Sequence, residues 1–331
     1  MICSILPRLI VLASRWTVVV LWKRAPTHSA PESWRAFESL FPGERTMSIS
    51  DSLSPVRTVA PGDVRAELEG AGSRTTLLDV REETEYAAFH IPGAAFIPLS
   101  ELSDRTGDLD RMHRVITYCK RGKRSHAAAV MLIESGFTDV MSMEGGIEAW
   151  RGAQAKGSYR QGLHLLDTHR TLPELAVLGW ALEDGARRFY ERLIPLCPQE
   201  GVQALLRSLC KAERHHKEII LEAYGRIIGS EAIPEEPALE GELADIMEGG
   251  LSVDDALEEI RQLGGAPDDI VEYAMGAEAN ALDLYLKMYR QVEDARAQEL
   301  LSEIIADEKA HLKVFGRIMN MLMGGAHRED V

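Results

Sequence analysis

The sequence predicts two domains of different class: an α/β domain on a parallel sheet, followed by an all-α four-helix bundle. Three observations predict this. Short apolar runs alternate with helical patterns over about residues 55–152. From residue 171 the pattern changes to four long segments with apolar residues at three- and four-residue spacing. The acidic charge is concentrated there too: residues 171–331 carry 16 Lys/Arg against 32 Asp/Glu, residues 47–170 carry 15 against 17, and residues 1–46 carry 6 against 3. A chain of 331 residues, 45% hydrophobic and 27% charged, is long enough for two separate cores. The net charge of −15 argues against nucleic acid as a partner.

Residues 1–54 read as an N-terminal extension. The stretch "MICSILPRLIVLASRWTVVVLW" is apolar but interrupted by Arg8 and Arg15. Each arginine near the middle of a span costs about 2.5–3.5 kcal/mol on insertion scales. The expectation is a translation start placed too early, with Met47 as the true start and a cytoplasmic protein. Membrane attachment or export follows only if residues 1–46 are a targeting segment. The four cysteines, Cys3, Cys119, Cys197 and Cys210, form no C-x-x-C pair, which fits free thiols in a reducing compartment.

In the first domain, "TTLLDV" (75–80), "AFIPL" (95–99), "RVITYC" (114–119) and "DVMSM" (139–143) read as strands. "EETEYAAF" and "SHAAAVMLIESG" read as helices, the latter ending at Gly136. Alternating strands and helices imply a parallel sheet with sites beyond the carboxyl ends of its strands. Cys119 falls at such an end, at the start of "CKRGKRS". Backbone N–H groups of a tight loop and a helix N-terminus converge on an anion there. Lys120, Arg121, Lys123 and Arg124 add positive potential, and Gly122 lets the backbone turn. Such settings lower a cysteine pKa from about 8.5 to about 3.5–7.5. The loop alone fits equally a reactive thiolate that attracts an anionic substrate and a buried strand-end cysteine beside a solvated basic loop.

The motifs "LLDVREETEYAAFHIPGAAFIPL", "ITYCKRGKRS" and "MEGGIEAWRG", in that order over about 100 residues, resemble the rhodanese family. The resemblance implies a rhodanese-like sheet and a sulfurtransferase in which Cys119 carries sulfane sulfur as a persulfide. It places Arg124 in the catalytic loop, with Lys120, Arg121, Gly122, Lys123 and Ser125 cradling the substrate. Asp79, Arg81, His90, Gly93 and Trp150 match positions expected to be structural. Four residues separate Cys119 from Arg124, not the five of the C-x5-R phosphatase signature, which suits sulfur transfer.

A linker is expected over residues 153–170, and the bundle over residues 171–322. Its helices are "LAVLGWALEDGARRFYERLI", "EGVQALLRSLCKAERHHKEIILEAYGRII", "APDDIVEYAMGAEANALDLYLKMYRQV" and "AQELLSEIIADEKAHLKVFGRIMNML", with a short helix in the crossover around "MEGGLSVDDALEEI". An internal repeat governs this half. Glu183, Tyr190, Glu213 and His216 recur 95 residues later as Glu278, Tyr285, Glu308 and His311. Glu and His at i and i+3 share a helix face. One Glu from each of two helices, plus Glu-x-x-His from each of the other two, is the donor set of carboxylate-bridged two-metal bundles. Iron or manganese suits such donors, with zinc as a substitute. Tyr190 and Tyr285 are candidates to donate to the ligand carboxylates. Cys210 reads as core and His215 as surface, with Glu272 as a marginal extra carboxylate.

"ALEDGARRFY", "KAERHHKEI", "GAEANALDLY" and "ADEKAHLKVF" resemble rubrerythrins of the ferritin-like class. The resemblance implies a di-iron centre that reacts with peroxide or dioxygen, held by Glu183, Glu213, His216, Glu278, Glu308 and His311. The two C-x-x-C pairs of a rubredoxin-type site are missing, so electrons would come from an external donor. The leading expectation is a sulfurtransferase joined to this metal domain, using a small-molecule sulfur donor and a thiol acceptor. Two alternatives stand beside it: a di-iron peroxidase or oxidase fed by persulfide or another donor, and a non-catalytic anion-binding, partner-binding or redox-sensing protein. An exposed bundle face leaves a homodimer open.

Overall fold

The run Val115–Tyr118 is fully buried, as expected of a central strand covered on both faces. It lies in β6 (Arg114–Tyr118), at the middle of a five-stranded parallel sheet. The computed structural model describes residues 11–14, 17–20, 56–69, 74–167, 171–229, 236–239 and 241–325. In the N-terminal unit, β1 (Val11–Ser14) and β2 (Thr17–Val20) pair as an antiparallel hairpin. Met47 and most of the stretch weighed as a targeting segment lie outside the described residues. Among the described residues, no helix is long and apolar enough to cross a membrane.

The sheet combines β3 (Arg57–Val59), β4 (Thr75–Asp79), β5 (Ala95–Phe96), β6 and β7 (Val140–Met143) in the order β3-β7-β6-β4-β5. The register runs Thr75↔Arg114 through Asp79↔Tyr118 between β4 and β6, and Thr117↔Ser142 between β6 and β7. Helices α1 (Pro61–Glu67), α2 (Glu83–Ala88), α3 (Leu102–Arg105) and α4 (Lys123–Glu134) fill the connections. Strand β5 is shorter than the expected 95–99. Pro98 has no N–H to give, although Ile97 and Leu99 still donate to the carbonyls of Asp79 and Val80.

The C-terminal region is largely helical. It holds α5 (Leu172–Leu193), α6 (Glu200–Ile227), the two-residue strands β8 (Ile246–Met247) and β9 (Leu251–Ser252), α7 (Val253–Leu263), α8 (Pro267–Gln291) and α9 (Ala295–Gly325). A capping box between Thr171 and Glu174 sets the start of α5, with Pro173 in its first turn. Ser252 caps α7 by accepting from the Asp255 N–H at 3.2 Å, and Gly264 ends it with φ +98°. The four long helices bury their apolar faces in two cores, one around Trp180, Ile220 and Ile304 and one around Phe189, Leu206 and Ile270.

The stretch expected as a linker is packed instead. Ala155 exchanges backbone hydrogen bonds with His90, and Leu165 and Leu166 are buried in the helical core. The Lys156 N–H donates to Asn280 Oδ1 at 2.7 Å. The sheet domain also docks on α8 directly. The Gly93 N–H donates to Asp283 Oδ1 at 2.8 Å, and a Cβ on Gly93 would meet Leu286 Cδ1 at 2.7 Å. Glycine is required there by close approach as well as by its φ of +73°.

Candidate functional site

Cys119 sits where β6 ends, 2% exposed. Gly122, in the left-handed region at φ +94°, precedes α4 and turns its N–H to 3.2 Å from Cys119 Sγ. Burial opposes ionisation of the thiol. It is outweighed by the Ser125 N–H and hydroxyl and the N–H groups of Arg121 and Gly122, which together hold the pKa below its ordinary value. The loop after β7 braces the cysteine from the other side. Ile147 N–H donates to the Cys119 carbonyl at 2.8 Å and Glu148 N–H to that of Lys120 at 3.2 Å. A Cβ on Gly146 would lie 2.2 Å from the Cys119 carbonyl oxygen, so the paired glycines of "MEGGIEAW" are what let this loop close.

Most of the cationic side chains are paired with carboxylates, although Arg124 also interacts with Cys119. Arg124 forks onto Glu85 with bonds of 2.6 and 2.8 Å, and holds that carboxyl down at about 2. Arg121 bonds Glu148 at 2.7 Å, and Lys120 lies 3.9 Å from the same carboxylate. Lys123 is exposed. The thiolate is therefore held mainly by N–H groups and a hydroxyl. Arg121 and Lys120 turn toward Glu148, a carboxylate that the basic motif does not announce.

The residues expected to be structural are so placed. Asp79 and Arg81 form a buried pair, Nη2 to Oδ2 2.6 Å, and Arg81 also donates to the Phe89 carbonyl at 2.7 Å. Trp150 donates to the Ala153 carbonyl at 3.0 Å. His90 Nδ1 donates to the Tyr86 carbonyl at 3.0 Å, and its Nε2 lies 3.2 Å from Asp283 Oδ2.

The second cluster lies among the long helices. Glu183 (α5), Glu213 and His216 (α6), Glu278 (α8), and Glu308 and His311 (α9) converge. Single ligand atoms from Glu213, His216 and His311 lie within 4.8 Å of one another, as do those of Glu183, His216 and Glu308, and of Glu278, Glu308 and His311. The four glutamates are fully buried. The repeat is visible in the geometry: His216 Nδ1 lies 2.9 Å from Glu183 Oε2, and His311 Nδ1 lies 2.9 Å from Glu278 Oε2. Tyr190 donates to Glu278 Oε1 at 2.6 Å, and Tyr285 donates to Glu183 Oε1. Burial opposes ionisation of Glu183, but bonds from His216 and Tyr285 keep it below the usual carboxylate range. Burial and neighbouring carboxylates push Glu213 and Glu308 well above that range.

Buried carboxylates at this density need protons or cations. Neither oxygen of Glu213 or of Glu308 has a well-aligned hydrogen-bond partner, and His216 Nδ1 is shared among them, 3.1 Å from Glu213 Oε2 and 3.3 Å from Glu308 Oε1. Oxygen-rich donors with two imidazoles fit iron or manganese. The residues present therefore fit a pair of such ions.

Two further acids join these groups without a signal in the repeat, Asp307 and Glu248, while a third, Asp283, lies apart from them against Gly93 and His90. Asp307 Oδ2 lies 2.9 Å from His216 Nε2, on the ring edge away from the glutamates. Asp283 anchors the sheet domain. Glu248, in the turn between β8 and β9, is fully buried and has a ligand oxygen within 4.8 Å of those of Glu183 and Glu213. Position 153, 95 residues before Glu248, is an alanine, and so is position 212, 95 before Asp307, so the repeat could not reveal either. Glu272 stands apart from the cluster: it is exposed and 3.9 Å from Lys156, because residue 272 falls on the outer face of α8. Cys210 is buried, with its thiol pushed up to about 11 by burial, and His215 is exposed.

A model of the rhodanese-like domain family matches residues 60–153. The thiosulfate sulfurtransferase GlpE of Pseudomonas fluorescens is 42% identical over 101 residues, covering 30% of this chain and 88% of that relative. The probable adenylyltransferase/sulfurtransferase MoeZ of Mycobacterium tuberculosis is 36% identical over 95 residues, 28% of this chain. The chain spans only 24% of that relative's length. A solved rhodanese-related protein from Thermoplasma volcanium is 32% identical, covering 28% of this chain and 89% of that one, with a TM-score of 0.26.

Proposed function

The chain belongs to the rhodanese family through residues 60–153, and from that membership we propose that it is a sulfurtransferase acting through Cys119; from the convergent carboxylates and histidines we propose a ferritin-like two-metal domain joined to it. The observation that carries the first part is the Gly122 N–H at 3.2 Å from Cys119 Sγ, in a loop whose other N–H groups also favour the thiolate. The thiolate attacks the outer sulfur of a donor such as thiosulfate. The new S–S bond forms as the donor S–S bond breaks, and sulfite leaves with the bonding pair. A thiolate acceptor, or cyanide in an assay, then takes the outer sulfur of the persulfide and returns Cys119 as thiolate. Arg121 and Lys123 line the hollow beside Gly122, and their charge favours an anionic donor.

The convergence of Glu183, Glu213, His216, Glu278, Glu308 and His311 supports the second part. When bound, a pair of iron ions would supply redox chemistry toward peroxide or dioxygen. Tyr190 and Tyr285 orient two of the carboxylates, and Asp307 orients the His216 ring. That redox chemistry would draw its electrons from an external donor. Purified full-length protein tests both parts. Thiosulfate:cyanide transfer that disappears in Cys119→Ala, and about two metal ions per chain that are lost when Glu213 and His216 are replaced, support the reading. Wild-type protein without transfer activity overturns the first part. No iron or manganese retained after loading overturns the second.

A further inference from the structure

We propose that Glu248 is a further protein ligand of the carboxylate–histidine site, supplied by the crossover between α6 and α8 and not by the repeat. The inference rests on reading that site as a two-metal centre. Its first support is the state of the side chain. Glu248 is fully buried, and neither carboxylate oxygen has a hydrogen-bond partner. An ionised carboxylate in that setting lacks compensation, and a protonated one would still lack an acceptor for its O–H. A cation shared with its neighbours resolves both, and those neighbours are Glu183 and Glu213, whose ligand oxygens lie within 4.8 Å of its own.

The backbone is built to hold the residue there. Glu248 begins a turn whose next residues, Gly249 and Gly250, have φ of +75° and +73°. The hairpin is wedged between equivalent points of the two repeats, each two residues past the first glutamate. On α5, a Cβ at Gly185 would lie 1.8 Å from the Ile246 carbonyl oxygen. On α8, a Cβ at Gly249 would lie 2.7 Å from Asn280 Cβ. Gly185 and Asn280 are 95 residues apart, so the hairpin sits between matching positions. A third clamp comes from the segment joining the domains: a Cβ at Gly250 would meet Gly162 Cα at 2.5 Å, and Gln161 Nε2 donates to the Gly249 carbonyl at 3.3 Å. Close backbone packing on three sides aims a charged side chain into a site that otherwise has twofold pseudo-symmetry. With Glu248, the group at Glu183 and Glu213 gains a carboxylate from outside the repeat, so two ions bound there would be held unequally.

The test is an anaerobic Mn2+ titration of the chelator-treated full-length chain, with free ion counted by its electron paramagnetic resonance signal. Wild type is expected to take two ions. Glu248→Gln is expected to weaken one of them by at least about tenfold, while its melting temperature in chelator stays at or above that of wild type. Two ions bound by a folded Glu248→Gln protein at wild-type affinity would overturn the assignment. So would a Glu248→Asp variant that binds as wild type if the Gln variant fails to fold, because a ligand role does not survive retraction by a methylene. A wild type that binds no ion overturns the two-metal reading itself, a result distinct from either variant outcome.

Discussion

The hydroxyl of Tyr190 on α5 donates to Glu278 on α8 at 2.6 Å, and the equivalent hydroxyl of Tyr285 on α8 donates back to Glu183 on α5. Each tyrosine serves the glutamate of the other repeat, seven residues before its own counterpart in sequence. Burial and the adjacent glutamates push both phenols well above their ordinary range, so both remain donors. Replacing either by phenylalanine leaves a buried carboxylate oxygen short of one bond, at a cost of about 1–3 kcal/mol. Because the arrangement is crossed and duplicated, Tyr190→Phe and Tyr285→Phe should lose similar amounts in urea unfolding. A loss confined to one would show that the pairs are not equivalent.

The Arg124–Glu85 fork has a defined acid signature. Arg124 lowers Glu85 from an ordinary 4.5 to about 2. A depressed carboxylate contributes stability fully above its unfolded value and loses it as pH falls through its folded value. The stability difference between wild type and Glu85→Gln should therefore be constant above about pH 5, then close as pH falls from 4.5 to about 2. Urea midpoints measured across that range check it. A difference that persists unchanged at the acid end would mean that shape, not charge, carries the fork.

The Cys119 pKa lies below its ordinary 9.0 because N–H groups and the Ser125 hydroxyl outweigh burial. Thiolate absorbance near 240 nm, taken as the signal lost in Cys119→Ala, should rise with pH through that lowered value. Ser125→Ala keeps the N–H but removes the hydroxyl, which also lies 3.1 Å from the Gly122 carbonyl and 2.9 Å from Ser142 Oγ. One hydrogen bond to a charged group contributes about 1.5 kcal/mol, equivalent to about one pH unit, so the midpoint should move up by about that much. An unmoved midpoint would assign the whole effect to the backbone.

What the sequence reveals of this molecule follows from how each feature is encoded. The central strands are apolar runs four or five residues long, and the Cys119 loop and the six convergent ligands follow from local spacing or from a repeat. Strand β3 spans three residues at a sheet edge, too short to show a period, and neither it nor α1 follows from the sequence pattern. The partners of the basic loop were equally hidden. Glu85 is 39 residues from Arg124, and only the fold brings them together. Glu248 lies in the glycine turn that opens the crossover stretch "MEGGLSVDDALEEI", ahead of α7, and has no counterpart in the repeat. The segment over 153–170 has the composition of a linker, yet Leu165 and Leu166 bury themselves in the helical core. Tertiary packing, which leaves little local pattern, accounts for each of these.

The contact between the halves makes the sharpest stability prediction. Asp283 on α8 accepts from the Gly93 N–H at 2.8 Å, faces His90 Nε2 at 3.2 Å and lies 2.5 Å from Lys287 Nζ. Burial opposes its ionisation, but His90 and Lys287 hold its pKa below the ordinary 3.8. Lys287 is 3% exposed, and Asp283→Ala would leave its ammonium buried beside the rings of Tyr86 and Tyr159 with no counter-charge. Breaking a buried pair from one side costs about 3–5 kcal/mol. Replacing both, as Asp283→Leu with Lys287→Met, should recover much of that, because no lone charge remains. The linkage has a sign: the wild-type advantage over the double variant is present above about pH 4 and fades as pH falls through the depressed Asp283 value. Hydrogen exchange should report the single variant first at Gly93 and along α8 near residue 283, where the sheet domain meets the helices. Exchange unchanged there, with urea stability intact, would mean that the two halves do not depend on this contact.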